Sequence, residues 1–291
     1  MCSTWVSRRA FVAALALGAL RSRAARASAP YAGPLIDAHS HLPNPQVLPG
    51  LVAAMDRHGV TRVALLGVGG VQKDDLAWIE ASAQRYPDRV IPFAPVPDPM
   101  ARDAARRLDG LLKTGRFRGA GEVHVHQASR KIRRAADAPP FLAVLEVCAR
   151  HGLPLVIHDE LTPETTAELE RALAHNRRTV IVLAHAGSAE PGTLAGLLRR
   201  HENLHYDVSG MHFLRTPALA TEEGPLGAGW KALLTEHADR GLIGTDVWAP
   251  QLFKPEMLDR LMTWTRRVLG ELPPDVAERL AHANAVRLFR L

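Results

Sequence analysis

Cysteine is nearly absent from this chain. Among 291 residues only Cys2 and Cys148 carry a thiol, and Cys2 falls in a stretch expected to be removed, so no internal disulfide is available to the remainder. Cys148 lies in "FLAVLEVCARHG", on the apolar face of an expected helix, and reads as a core thiol rather than a nucleophile. Long apolar runs are missing too. The run from Ala10 to Leu20 falls short of the ~20 residues a membrane-spanning helix needs. No G-x-G-x-x-G follows the first expected strand. The glycines of "LLGVGGVQ" come after the second, with the wrong spacing for a dinucleotide turn. Beyond the N-terminal stretch there is no linker, low-complexity segment or second composition that would mark another domain.

Acidic residues are missing from positions 1–29, which hold Arg8, Arg9, Arg21, Arg23 and Arg26. A basic start, a short apolar run and small residues at Ala25-Arg26-Ala27 and Ala27-Ser28-Ala29 form the three-part layout of a cleavable export signal. Ser7-Arg8-Arg9-Ala10-Phe11-Val12 resembles the twin-arginine signal, without the lysine that often follows. The resemblance implies export of a folded protein to the periplasm, which suits an enzyme loaded with metal beforehand. Removing five positive charges from the net +6 leaves +1. The basic balance is therefore no argument for nucleic acid or a membrane surface as partner.

From residue 30 onward the chain alternates. Eight short β-branched runs, at 35–42, 60–68, 89–97, 117–126, 153–160, 179–187, 204–210 and 241–248, are each followed by a stretch of helical periodicity. Helices are expected over 51–58, 74–86, 101–112, 140–151, 165–175, 193–201, 230–238 and 256–269, with a closing helix over 274–289. Strands alternating with helices predict a parallel sheet. Eight units in about 260 residues predict a single (β/α)8 barrel.

Polar residues gather where those strands end. "LIDAHSHL" places Asp37, His39 and His41 on alternate positions, which share one face of a regular strand. Glu122 lies on the fourth strand, His158 ends the fifth, His185 the sixth and Asp246 the eighth. The C-terminal strand ends of a parallel barrel form one rim, where active sites are built. Five strands thus bring imidazoles and carboxylates to one mouth, a donor set suited to Zn²⁺ or a similar cation.

These residues resemble the amidohydrolase superfamily, and within it the amidohydrolase-related (amidohydrolase 2) group. The likeness runs from residue 35 to 291 through D-x-H-x-H (Asp37, His39, His41), P-x-x-I-H (His158), H-x-G (His185, Gly187), T-D (Thr245, Asp246) and the closing "HANAVRLF". It implies a TIM barrel in which His39, His41, His158 and Asp246 bind a divalent metal, expected to be Zn²⁺. It also implies that His185 either binds a second ion or acts on the substrate. Glu122 resembles the strand-four Glu of TatD-type hydrolases. It is either a ligand to a second ion or a partner that orients a metal histidine. Asp246 and His185 are the expected catalytic residues.

Asp37 is expected one layer below His39 as a buried acceptor. His124 is expected to touch substrate, Asp207 to cap a loop, and Arg130, Lys131, Arg133 and Arg134 to form a solvated run. Met211, His212, Phe213, Trp248 and Phe253 are candidates for the pocket wall. The leading activity is metal-dependent hydrolysis of a small ester, lactone or amide. A non-oxidative decarboxylase of the same group comes second, a TatD-like nuclease third, and a non-catalytic barrel that binds small molecules last.

Overall fold

The structure is a computed structural model that describes residues 28–291. The expected export signal, residues 1–29, lies outside the described residues except for its last two.

Nine strands are present among the described residues. β1 (Leu35–Ser40), β2 (Val60–Leu65), β3 (Val90–Pro92) and β4 (Ala120–Gln127) come first. β5 (Ile132–Arg133) is a short antiparallel partner of the end of β4. β6 (Leu155–Asp159), β7 (Ile181–Leu183), β8 (Leu204–Asp207) and β9 (Gly241–Leu242) follow. Apart from β5, neighbouring strands pair in parallel. β3 meets β4 through a parallel bridge between Ala94 and Ala120. The circuit closes where Ala38 N donates to Ile243 O at 3.0 Å, Asp246 N to His39 O at 2.8 Å and His41 N to Val247 O at 2.9 Å. The eight parallel strands thus enclose the expected barrel.

Strands covered on both sides need apolar residues on both faces, and two buried layers result. Ile36, Ala64, Phe93, Val156 and Val182 fill the interior, and Phe289 of the last helix plugs its floor. The Phe289 ring meets Phe93 edge to face at 5.0 Å. The larger layer lies between strands and helices and includes Cys148, whose thiol is pushed up to about 12 by burial.

The helices are α1 (Leu48–Arg57), α2 (Asp75–Arg85), α3 (Ala104–Leu112), α4 (Pro139–His151), α5 (Pro163–His175), α6 (Pro191–Arg200), α7 (Ala228–Glu236) and α8 (Pro255–Gly270). Four of them begin on a proline, one or two residues earlier than expected. Proline fits the first helical turn because its missing N–H would have had no partner there. The closing helix is divided into α9 (Pro274–Glu278) and α10 (Asn284–Phe289) by a π-turn over Arg279–Ala283.

Two expectations about strands need correction. The register of β1 against β2 slips between Asp37 and Ser40, and such a slip exchanges the faces of a strand. Ile36 and Ala38 therefore occupy the interior, while Asp37 lies with Leu35, Met262 and Thr265 between the barrel wall and α8. The sixth and eighth expected strands are also shorter, ending at Leu183 and Leu242. His185 and Asp246 follow in left-handed conformations, with φ of +53° and +47°. Both sit in turns beyond their strands, a conformation that non-glycine residues adopt at a cost and that often marks functional positions.

Candidate metal centre

β1 and its slipped register deliver His39 and His41 to the mouth as a pair. His39 Nδ1 lies 3.0 Å from Asp207 Oδ2, at the end of β8. His41 Nδ1 donates to Leu66 O at 3.0 Å. His185 Nδ1 donates to Ser209 O at 2.8 Å. A carbonyl oxygen only accepts, so these contacts put the ring proton of His41 and His185 on Nδ1, and Asp207 does the same for His39. In all three neutral rings the Nε2 lone pair is then left facing the centre.

Those lone pairs converge with two carboxylates. His39 Nε2 and His41 Nε2 are 3.2 Å apart. His41 Nε2 is 3.4 Å from Asp246 Oδ1. His185 Nε2 is 3.3 Å from Glu122 Oε1 and 3.7 Å from Asp246 Oδ2. Two imidazole lone pairs facing each other repel unless a proton or a cation lies between them. Donors about 2.1 Å from a tetrahedral cation stand roughly 3.4 Å apart, close to the separations found. The donor chemistry and the tautomers both fit a divalent metal ion.

Three overlapping groups have donor atoms within 4.8 Å of one another: His39 with His185 and Asp246, His39 with His41 and Glu122, and Glu122 with His124 and His158. Glu122 stands between them. Its Oε1 is 3.2 Å from His158 Nδ1, and its Oε2 is 3.0 Å from His124 Nε2 and 3.6 Å from His41 Nε2. His124 and His158 are register partners on β4 and β6, and their rings stand 5.0 Å apart. His158 therefore groups with Glu122 and His124, not with His39, His41 and Asp246 as expected.

The field of the site favours positive charge. Burial works against a charged His39, but Asp207, Glu122 and Asp246 outweigh it and push the ring up to about 10. His185 is raised in the same way, with burial opposing and Asp246 and Glu122 prevailing. Burial would raise Glu122, yet His124, His158, His185 and His39 hold it well below the ordinary carboxylate range. Asp246 is also held low against burial, by His185, Arg215, His41 and His39. A concentration of buried carboxylates around neutral imidazoles is stable only with a cation or protons to compensate it.

Several residues supply support that their sequence positions did not reveal. Asp207 does more than cap a loop. Besides orienting His39, its Oδ1 accepts from His185 N at 3.1 Å and Ser209 N at 3.0 Å, and Ser209 Oγ also bonds to it. Its one sequence signal is an acid at the end of the seventh expected strand. Arg215 had no signal; its Nη1 lies 2.7 Å from Asp246 Oδ2. Asp37 is the buried acceptor that was expected, though on the outer face of β1. It accepts from Thr245 N at 3.0 Å and Thr245 Oγ1 at 2.5 Å, which secures the residue before Asp246.

Above the centre is a cavity of about 320 Å³ lined by His41, Glu122, His158, His185 and Asp246, with Met211 and Trp248 in its wall. His212 and Phe213 instead pack against Trp264. Phe253 is buried in the layer between strands and helices. Neither these two nor Phe253 lines the cavity.

No curated protein matches the chain. Among solved structures, an uncharacterised TIM-barrel protein from Bordetella bronchiseptica is 17% identical, with a TM-score of 0.64 over 89% of this chain and 99% of the other. A probable 2-pyrone-4,6-dicarboxylic acid hydrolase from Acinetobacter baumannii, with citric acid bound, is 17% identical, with a TM-score of 0.62 over 88% and 99%. A dihydroxybenzoic acid decarboxylase from a Polaromonas species, with bound manganese and an inhibitor, is 19% identical, with a TM-score of 0.61 over 89% and 97%. At these identities the likeness is one of fold. The amidohydrolase family model spans residues 36–291, from β1 through the histidines and carboxylates of the mouth to the last residue, and the chain belongs to this family of metal-dependent enzymes.

Proposed function

We propose that this enzyme hydrolyses a small ester, lactone or amide at a centre holding one or two Zn²⁺ ions. The observation that carries the reading is the position of Glu122. One of its oxygens faces His158 and His185 and the other faces His41 and His124. A carboxylate so placed can serve two adjoining cation sites. His39, His41, Asp246 and Glu122 would hold one ion, and Glu122, His124 and His158 the other. When bound, the metal supplies Lewis acidity and makes hydroxide available near neutral pH.

The chain's own groups do the rest. Asp246, held as a carboxylate, accepts the proton of the attacking water. His185, whose affinity for a proton is raised, steadies the oxyanion that develops on the substrate. Asp207 keeps His39 in the ligating tautomer, and the walls of the mouth orient the substrate and limit access of bulk water.

Non-oxidative decarboxylation is the second reading. It is supported by the decarboxylases among the structures of similar fold. Elemental analysis of the purified protein followed by a panel of esters, lactones and aromatic acids separates the two. Turnover of an ester or lactone with one or two metal ions per chain is the expected result. Carbon dioxide release from an aromatic acid with hydrolysis absent would replace the first reading by the second, and a metal-free protein that still turns over would sink both.

The working location is proposed as the periplasm, from Arg8 and Arg9 in the N-terminal stretch. Replacing both with Lys should hold the precursor in the cytoplasm; normal export of that variant would rule out the twin-arginine route.

A further inference from the structure

The loop that follows β4 carries four cations, and they differ in what they meet. Arg133 clasps Glu168 through two contacts of 3.0 and 2.5 Å and reaches Glu164 at 3.1 Å. Arg134 donates to His124 O at 2.6 Å. Lys131 is exposed, in a left-handed conformation with φ of +55°. Arg130 alone of the four lines the mouth cavity. Its Nη1 is buried without a hydrogen-bond partner.

A buried guanidinium N–H without an acceptor is costly, and more so for a charged group than for a neutral one. The cavity beside it is where an acceptor can enter. Gln127 lines the same cavity, three residues earlier in the chain, and its Oε1 is likewise buried and unpartnered. This wall therefore offers an unmet charged donor and an unmet acceptor. The other arginine of the mouth, Arg215, is occupied with Asp246 at 2.7 Å.

We propose that Arg130 binds a carboxylate of the substrate other than the group that reacts, with Gln127 accepting a hydrogen bond from a hydroxyl or N–H beside it. The substrate class narrows to small molecules that carry a carboxylate in addition to the reacting group, of a size that a cavity of about 320 Å³ can take. The planar fork of Arg suits bidentate capture of a carboxylate. This inference rests on the proposed reading of the metal centre only for where the reacting end sits.

The test is calorimetric titration of the metal-loaded enzyme with glutarate and with phthalate, comparing the wild type with Arg130→Gln, Arg130→Lys and Lys131→Gln. Lys131→Gln makes the same change in charge on the same loop and controls for long-range electrostatics. Arg130→Gln is expected to weaken binding of at least one dianion about tenfold or more. Arg130→Lys should fall between it and the wild type, and Lys131→Gln should match the wild type. Thermal melting and metal content should be unchanged in all three. The proposal is overturned if Arg130→Gln binds both dianions as the wild type does or if Lys131→Gln loses as much. It is also overturned if Arg130→Gln sheds metal, or if the wild type binds neither dianion at millimolar concentration. Should the protein hold no metal and its dianion binding still depend on Arg130, the metal-centre reading fails and the carboxylate site stands.

Discussion

Asp207 Oδ2 lies 3.0 Å from His39 Nδ1, and both residues are buried. This contact ties the end of β8 to the first histidine of β1 across the barrel mouth and decides which nitrogen of His39 faces the centre. An isosteric Asp207→Asn change keeps the shape but replaces the carboxylate with a group that can present a donor to Nδ1. Metal affinity is expected to fall about ten- to a hundredfold, read by competition with a chromophoric chelator. A variant that keeps wild-type affinity would show that the contact does not set the tautomer.

Metal uptake should be coupled to pH. His39 is raised to about 10, and His185 is raised as well, so at neutral pH the metal-free site retains protons that a cation must displace. Affinity should therefore increase as pH rises and weaken as it falls. Calorimetric titration with Zn²⁺ in buffers of different ionisation enthalpy should reveal release of ~1 or more protons per chain at pH 7. A buffer-independent heat would contradict the charge state assigned to the site.

Asp159 follows His158 but is held away from the mouth, buried with neither carboxylate oxygen hydrogen-bonded. Burial, reinforced by Glu168, pushes it from 3.8 up to about 8, with Arg133 opposing. The folded chain therefore keeps a proton that the unfolded chain releases at lower pH. The sign follows: stability linked to this group is fully present below the unfolded pKa and is lost as pH rises from 3.8 through about 8. Asp159→Asn should raise the melting temperature relative to the wild type at pH 8 and do so progressively less towards pH 4. A difference that stays constant across that range would disprove the linkage.

Phe289 closes the barrel floor against Phe93 with rings 5.0 Å apart. Phe289→Ala empties a fully buried site and should cost about 3–5 kcal/mol in urea unfolding. A cost below about 1 kcal/mol would mean that the C-terminal helix is not part of the core.

Much of this protein was legible in its residue order. The succession of apolar runs and helical stretches is a local pattern, and strands buried on both faces must be apolar throughout, so the eight units and the parallel barrel could be read directly. Because all strands of such a barrel end on one rim, the histidines and acids at those ends could be assigned to one mouth without knowing any distance. Family membership from residue 36 to 291 agrees with that reading.

Other features were settled only in three dimensions. The alternation of Asp37, His39 and His41 suggested a common face, but the register slip in β1 sends Asp37 outward to hold Thr245, because pairing with β2 and with the residues that follow β9 overrides local periodicity. Left-handed turns at His185 and Asp246 leave no trace in residue type, since neither is glycine. The clasp of Asp207 on His39 joins residues 168 positions apart, and that of Arg215 on Asp246 joins two different rim loops. Likewise, four adjacent cations in "SRKIRR" look equivalent as a sequence. Only the packing of β5 and α5 gives Arg133 its acidic partners and leaves Arg130 facing the cavity. Residue order determines which chemical groups reach the rim, whereas their partners depend on distances that only the closed barrel creates.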